Sequence, residues 1–135
     1  MNSVVRTLGW SVTAVLVAGA GLASAPFAGA DGTSPVVNDC VSGQSTIQPS
    51  SMLLACGDGG LSVRDITWSS WGPTTAEGQG TEYRRVCEPS CAAGHEATGA
   101  THITLRTLKD GYFTEAVITD LNGKPETWPV GPLRH

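Results

Sequence analysis

The sequence predicts one small all-β domain, an antiparallel β-sandwich or barrel-like fold, stapled by disulfides and preceded by a secretion signal. Three observations predict it. Short β-rich runs alternate with turns in a chain holding 17 glycines and 8 prolines and only 15% charged residues. No apolar stripe of helical period persists after residue 30. All four cysteines, Cys40, Cys56, Cys87 and Cys91, follow that point, an even count of the kind that staples small exported domains. The organisation expected is a signal over 1–30, a flexible N-terminal arm over 31–49, a β domain over 50–128 and a C-terminal tail over 129–135.

The leader has three parts. Arg6 is the one charge before Asp31, an apolar stretch follows from Leu8 to Ala23, and small residues close it. Two cuts satisfy the small-x-small rule, after Ala25 and after Ala30. The first places Pro26 against the scissile bond, so the cut after Ala30 is preferred. An uncleaved span over Thr7 to Ala30 is the rival reading. The Gly and Ala content, Pro26 and the cleavage site favour removal, leaving no membrane span. Loss of Arg6 takes the formal charge from −4 to −5 over 105 residues. Eight basic against twelve acidic residues argue against a nucleic-acid partner, which needs clustered cations on phosphates.

Along the mature chain, residues 31–49 show no sustained period and read as an arm that Cys40 pins. Met52 to Cys56 is an apolar run stopped by Gly57-Asp58-Gly59-Gly60, a tight-turn cluster. Leu61 to Trp68 resumes as a strand whose apolar phase changes at Arg64-Asp65, which predicts a bulge there. Trp71-Gly72-Pro73 ends it. Ala76 to Cys87 is a strand loosened by Gly78 and Gly80, followed by the bend Cys87-Glu88-Pro89-Ser90-Cys91. Ile103 and Leu105 alternate with His102, Thr104 and Arg106. Asp110-Gly111 joins Thr101–Lys109 to Tyr112–Asp120 as a hairpin. Asn122-Gly123 turns toward Trp128, where Pro125 and Pro129 allow only an edge strand or a tail.

Four cysteines allow three connectivities. Cys40 with Cys56 and Cys87 with Cys91 is preferred. The first closes a loop of about 15 residues, worth about 3 kcal/mol in the chain-entropy model. The second fixes a bend. A zinc site is disfavoured because the chain has one Cys-x-x-x-Cys and no paired Cys-x-x-Cys. His95 and His102, set on opposite sides of a turn region at Gly99, make a poor metal pair, so no metal or cofactor is expected.

No stretch presents a nucleophile, base and charge-stabilising pocket at recognisable spacing. Asp58 between glycines reads first as a turn aspartate that accepts backbone N–H groups. The tryptophans read first as core, and if one faces solvent, Trp71 beside Gly72-Pro73 is preferred. Trp71, Asp58 and His95 are therefore the candidate ligand-facing residues. A dispersed hydrolase site would draw on Asp58, Glu82 and His95. An enzyme inhibitor would present the Glu88-Pro89-Ser90 loop.

The series Ala55-Cys56-Gly57-Asp58-Gly59, Trp68-Ser69-Ser70-Trp71-Gly72, Ala76-x-Gly78-x-Gly80 and Cys87-x-Pro89-x-Cys91-Ala92-x-Gly94 runs in this order. Over residues 49–108 it resembles small secreted proteins of mycobacteria and streptomycetes described as having no known function. The resemblance implies export and an actinobacterial source, and it carries over no catalytic residues. The expected role is a non-catalytic exported protein that binds a cell-wall component or an extracellular protein.

Overall fold

The computed structural model describes residues 33–38, 40 and 43–131. The leader over 1–30, with both cleavage sites, lies outside them. Eight strands follow in chain order: β1 (Val37–Asn38), β2 (Ser45–Thr46), β3 (Met52–Leu53), β4 (Leu61–Trp71), β5 (Ala76–Val86), β6 (His95–Lys109), β7 (Tyr112–Thr119) and β8 (Pro125–Pro129). Among the described residues no helix is long and apolar enough to cross a membrane. β1 and β2 pair as a ribbon, and β3 to β8 form one antiparallel meander in sequence order. The meander curls into a half-barrel, the barrel-like form of the expected all-β fold.

The concave face holds the core. Leu61, Val63 and Ile66 of β4, Ala76 of β5, Ile103 and Leu105 of β6, and Ala116 and Ile118 of β7 are all buried. Their period of two follows from the pleat, which sends alternate side chains to opposite faces. β4 would break that period without its bulge. Arg64 pairs with Thr81 and Thr67 with Gln79, so β4 advances three residues while β5 advances two. Asp65, with φ of 53°, carries the extra step. The bulge returns Ile66 to the face of Leu61 and Val63, which an unbroken strand would have denied it.

A second shift between Trp68 and Ser70 does the same for Trp71. Trp68 and Trp71 then meet edge to face at 4.8 Å, and Trp71 meets Phe113 at 5.4 Å. The glycines of β5 make room for the first bulge. A Cβ on Gly80 would stand 2.7 Å from the Arg64 carbonyl oxygen, and one on Gly78 would stand 2.9 Å from that of Thr67.

β6 differs from expectation. It runs unbroken from His95 to Lys109, so His95 and His102 lie on one strand and Gly99 is no turn. Gly99 pairs with Glu82, and a Cβ there would sit 2.8 Å from Leu121. The glycine admits a neighbouring side chain and does not turn the chain. The Asp110-Gly111 hairpin is as predicted, with Lys109 paired to Tyr112 and positive φ at both turn residues. β8 is an edge strand bounded by Pro125 and Pro129, which have no N–H to offer a further strand.

Residues of the 31–49 stretch are tied to the barrel. Val36 bridges Tyr112, and Val37 is buried to 1% exposure. Trp71 donates its indole N–H to the Pro35 carbonyl and Trp68 donates to that of Pro49, each at 2.8 Å. The absence of a sequence period there is no obstacle, because single residues anchor the stretch.

The β7–β8 turn is built on Asp120, whose Oδ1 accepts the Asn122 and Lys124 N–H groups, both at 2.8 Å. The bond from Lys124 is the main cause holding its carboxyl below the ordinary 3.8. A carboxyl lowered on folding stabilises above its unfolded value and loses that contribution as pH falls through its folded value. Asp120→Ala is therefore expected to lower stability at pH 7, with the gap to wild type narrowing in denaturant titrations as pH drops below 3.8. Gly80→Ala is expected to cost about 1–3 kcal/mol, because backbone must move to admit the methyl. Gly57→Ala, into open space, should stay within about 0.5 kcal/mol in the same urea titrations.

Candidate functional site

A six-stranded meander with short outer strands leaves a seam, and a cleft of about 790 Å³ lies along it. One wall is Leu53, Leu54 and Ala55, which leave β3. Tyr112 of β7, Trp128 of β8 and Val130 just beyond β8 also line it. Cys40 and Cys56 close one side as a disulfide with Cα atoms 5.8 Å apart. That bond fixes the segment after β3, a strand of only two residues. The walls are apolar. Asp58, Lys109 and Asp110, all exposed, are the charged residues on the lining.

A second cleft of about 430 Å³ shares Ala55, Asp58 and Trp128 with the first. Its other lining includes Arg84, Arg85, Glu96 and the Cys87–Cys91 disulfide. Arg85 donates from Nε to the Cys91 carbonyl at 3.1 Å, tying the disulfide loop back to β5. Arg84 faces inward beside Glu82. Its Nε meets Glu82 Oε1 at 2.6 Å, and its other arm pairs with Glu126 of β8. Burial disfavours the Arg84 charge, but hydrogen bonds and Coulomb attraction from Glu126 and Glu82 outweigh it and hold its pKa above the ordinary value. Glu82 is fully buried, and its Oε2 has no hydrogen-bond partner among the described residues.

The residues singled out from sequence fall in different places. Asp58 lines both clefts and accepts the Gly60 N–H at 2.9 Å, the turn role expected of it. Trp71 is partly buried against the core, with its N–H committed to Pro35. His95 is exposed at the start of β6, four ladder steps from Gly99, the partner of Glu82. Four steps are roughly 13 Å along a strand. Asp58, Glu82 and His95 therefore do not share a cleft. Among the described residues no group of three His, Cys, Asp or Glu could hold a metal ion. Both preferred disulfides are present, and no described cysteine is free.

Sequence reasoning missed Trp128 as a site residue. It pairs with Ala116 on the edge strand and is partly buried, and its Nε1 is buried without a partner among the described residues. The one available signal was an indole on a proline-bounded edge strand, which also fits an ordinary tail.

The charged cluster makes an energetic prediction. Arg84→Met leaves Glu82 buried without its cation, and about 3–5 kcal/mol of stability should be lost in urea titrations at pH 7. The double variant Glu82→Met with Arg84→Met should recover most of that loss, since no buried charge is left unpaired. Comparison of the chain with protein-family models, curated proteins and solved structures found no match.

Proposed function

We propose that the protein is exported, is not an enzyme, and binds the apolar part of a cell-envelope component or extracellular partner in the seam cleft. One observation carries this reading. The cleft is about 790 Å³ with apolar walls and charged groups confined to its exposed residues. Ligand sites fall in the same range of size and share that division between apolar lining and a few polar groups. Two disulfides support an oxidising compartment, where such bonds persist. The leader composition and the ordered residue series from Ala55 to Gly94 support export and an actinobacterial source.

The test uses oxidised protein and 1-aminoanthracene, a neutral apolar fluorophore. Saturable fluorescence enhancement is expected. Leu53→Asp, which sets a charge on the half-buried wall, should weaken binding at least about tenfold. Far-ultraviolet circular dichroism should confirm that the variant stays folded. No saturable signal from the wild-type protein would overturn the proposal.

A further inference from the structure

Among the described residues, three exposed pairs between strands set an aspartate or asparagine before glycine: Asp58-Gly59, Asp110-Gly111 and Asn122-Gly123. Glycine has no side chain to screen its main-chain nitrogen, which can close on the preceding side chain as a five-membered ring. That closure needs a carbonyl carbon open to attack. An ionised carboxylate offers a poor one and a carboxamide a better one, so Asn122 is the reactive member of the three. A Cβ on Gly123 would meet nothing within 4 Å, so no neighbour crowds that glycine.

The folded turn nonetheless holds the attacking atom. Gly123 donates its N–H to the Asp120 carbonyl at 2.9 Å. Asn122 and Lys124 donate theirs to Asp120 Oδ1, both at 2.8 Å, and Asp120 donates back to the Lys124 carbonyl at 2.8 Å. Asp120 thus engages each main-chain N–H from Asn122 to Lys124. Ring closure requires the Gly123 nitrogen to leave its acceptor and lose its proton. The anion so formed would stand close to the Asp120 carboxylate, where like charge disfavours it.

We infer that Asn122 is a site of spontaneous deamidation, and that Asp120 keeps it closed to reaction while the β7–β8 turn is folded. In the reaction the Gly123 nitrogen gives its proton to solvent and bonds Asn122 Cγ. The Cγ–Nδ2 bond breaks, and Nδ2 leaves as ammonia. Water then opens the ring at one carbonyl or the other, which gives aspartate or isoaspartate with no net oxidation or reduction. Isoaspartate adds a methylene to the main chain in the turn that sets the β7–β8 register, and β8 has no other strand beside it. The product therefore loosens the edge strand.

The experiment incubates the full oxidised chain at neutral pH with and without urea, and follows residue 122 by peptide mapping with an isoaspartate assay. Folded wild-type protein is expected to deamidate at Asn122 at least about tenfold more slowly than the chain in urea. Asp120→Ala, shown by circular dichroism to stay folded, should approach the rate in urea. The isolated isoaspartate form should unfold at lower urea than the unmodified chain. Equal wild-type rates with and without urea, an Asn122 that stays intact in urea, or a folded Asp120→Ala as slow as wild type would each overturn the inference. Should Asp120→Ala unfold, Asp120→Ser keeps a side-chain acceptor without the charge and is expected to react faster than wild type. A rate no faster would remove Asp120 from the account, and an unchanged urea midpoint would remove the effect on the edge strand.

Discussion

Arg84 reaches Glu126 across the concave face, and that contact measures how far the sheet must bend. The ladder runs from Glu126 to Ile118, from Ile118 to Ile103, and from Ile103 to Gly78. Arg84 lies six residues further along β5 than Gly78 and three strands away from β8. On a flat sheet the two backbones would be more than about 20 Å apart, given strand spacing near 4.8 Å and a rise near 3.3 Å. An ion pair across that gap requires strong coiling and shear, the geometry by which sheets close into barrels. The contact joins β5, the third strand of the six-stranded meander, to the edge strand β8. Removing two acids and a base from water is costly, so this cluster is weak as a source of stability. Its contribution is geometric, because it specifies which end of β5 faces β8.

The curl also needs permission from the backbone. Two bulges in β4 tighten its twist, and Gly78 and Gly80 let the displaced carbonyls approach β5. Once bent, the sheet still lacks material to finish the barrel, for β3 contributes two residues. The segment after β3 is fastened covalently by Cys40–Cys56 and by backbone bonds from Leu54 and Ala55 to the Leu61 carbonyl. The two disulfides therefore act differently. The pair separated by 16 residues restrains a wall of the cleft, while the pair separated by 4 constrains only the tip of the β5–β6 hairpin.

Features set by near neighbours in the chain were legible from sequence. The Asp110-Gly111 turn, the Asp58 turn, the bulge at Arg64-Asp65 and the alternation around Ile103 each depend on a few adjacent residues, and each is present. Features set by distant contacts were not. Gly99 looks like a turn until Leu121, which occupies the space of its missing side chain, is brought beside it. Val37 lies in a stretch without period, because a bridge to Tyr112, two tryptophan bonds, the β1–β2 pairing and the Cys40–Cys56 disulfide hold that stretch, and no pattern is required. Glu82 sits at an inward position that polarity alone would assign to the surface, and its ion pair is with Arg84, two residues along the same strand face. The cleft itself belongs to no segment. It arises where β3 and β8 fail to meet.

An incomplete barrel gives a small domain something that a finished one lacks. In a closed barrel of this size side chains fill the interior, and edges disappear. Here the same side chains fill the closed part, where Ile103, Leu105, Phe113 and Ala116 are wholly buried. The open part leaves Leu53, Ala55, Tyr112 and Trp128 half-buried along the cleft. The tryptophans follow the same division. Trp68 and Trp71 lie over the filled side and are bonded to the arm, which makes them part of the frame. Trp128 lines the cleft from a strand with one neighbour, and its indole nitrogen has no hydrogen-bond partner among the described residues. The tryptophans with bonded indoles thus lie in the closed part, and the candidate cleft lies along the strand that has one neighbour.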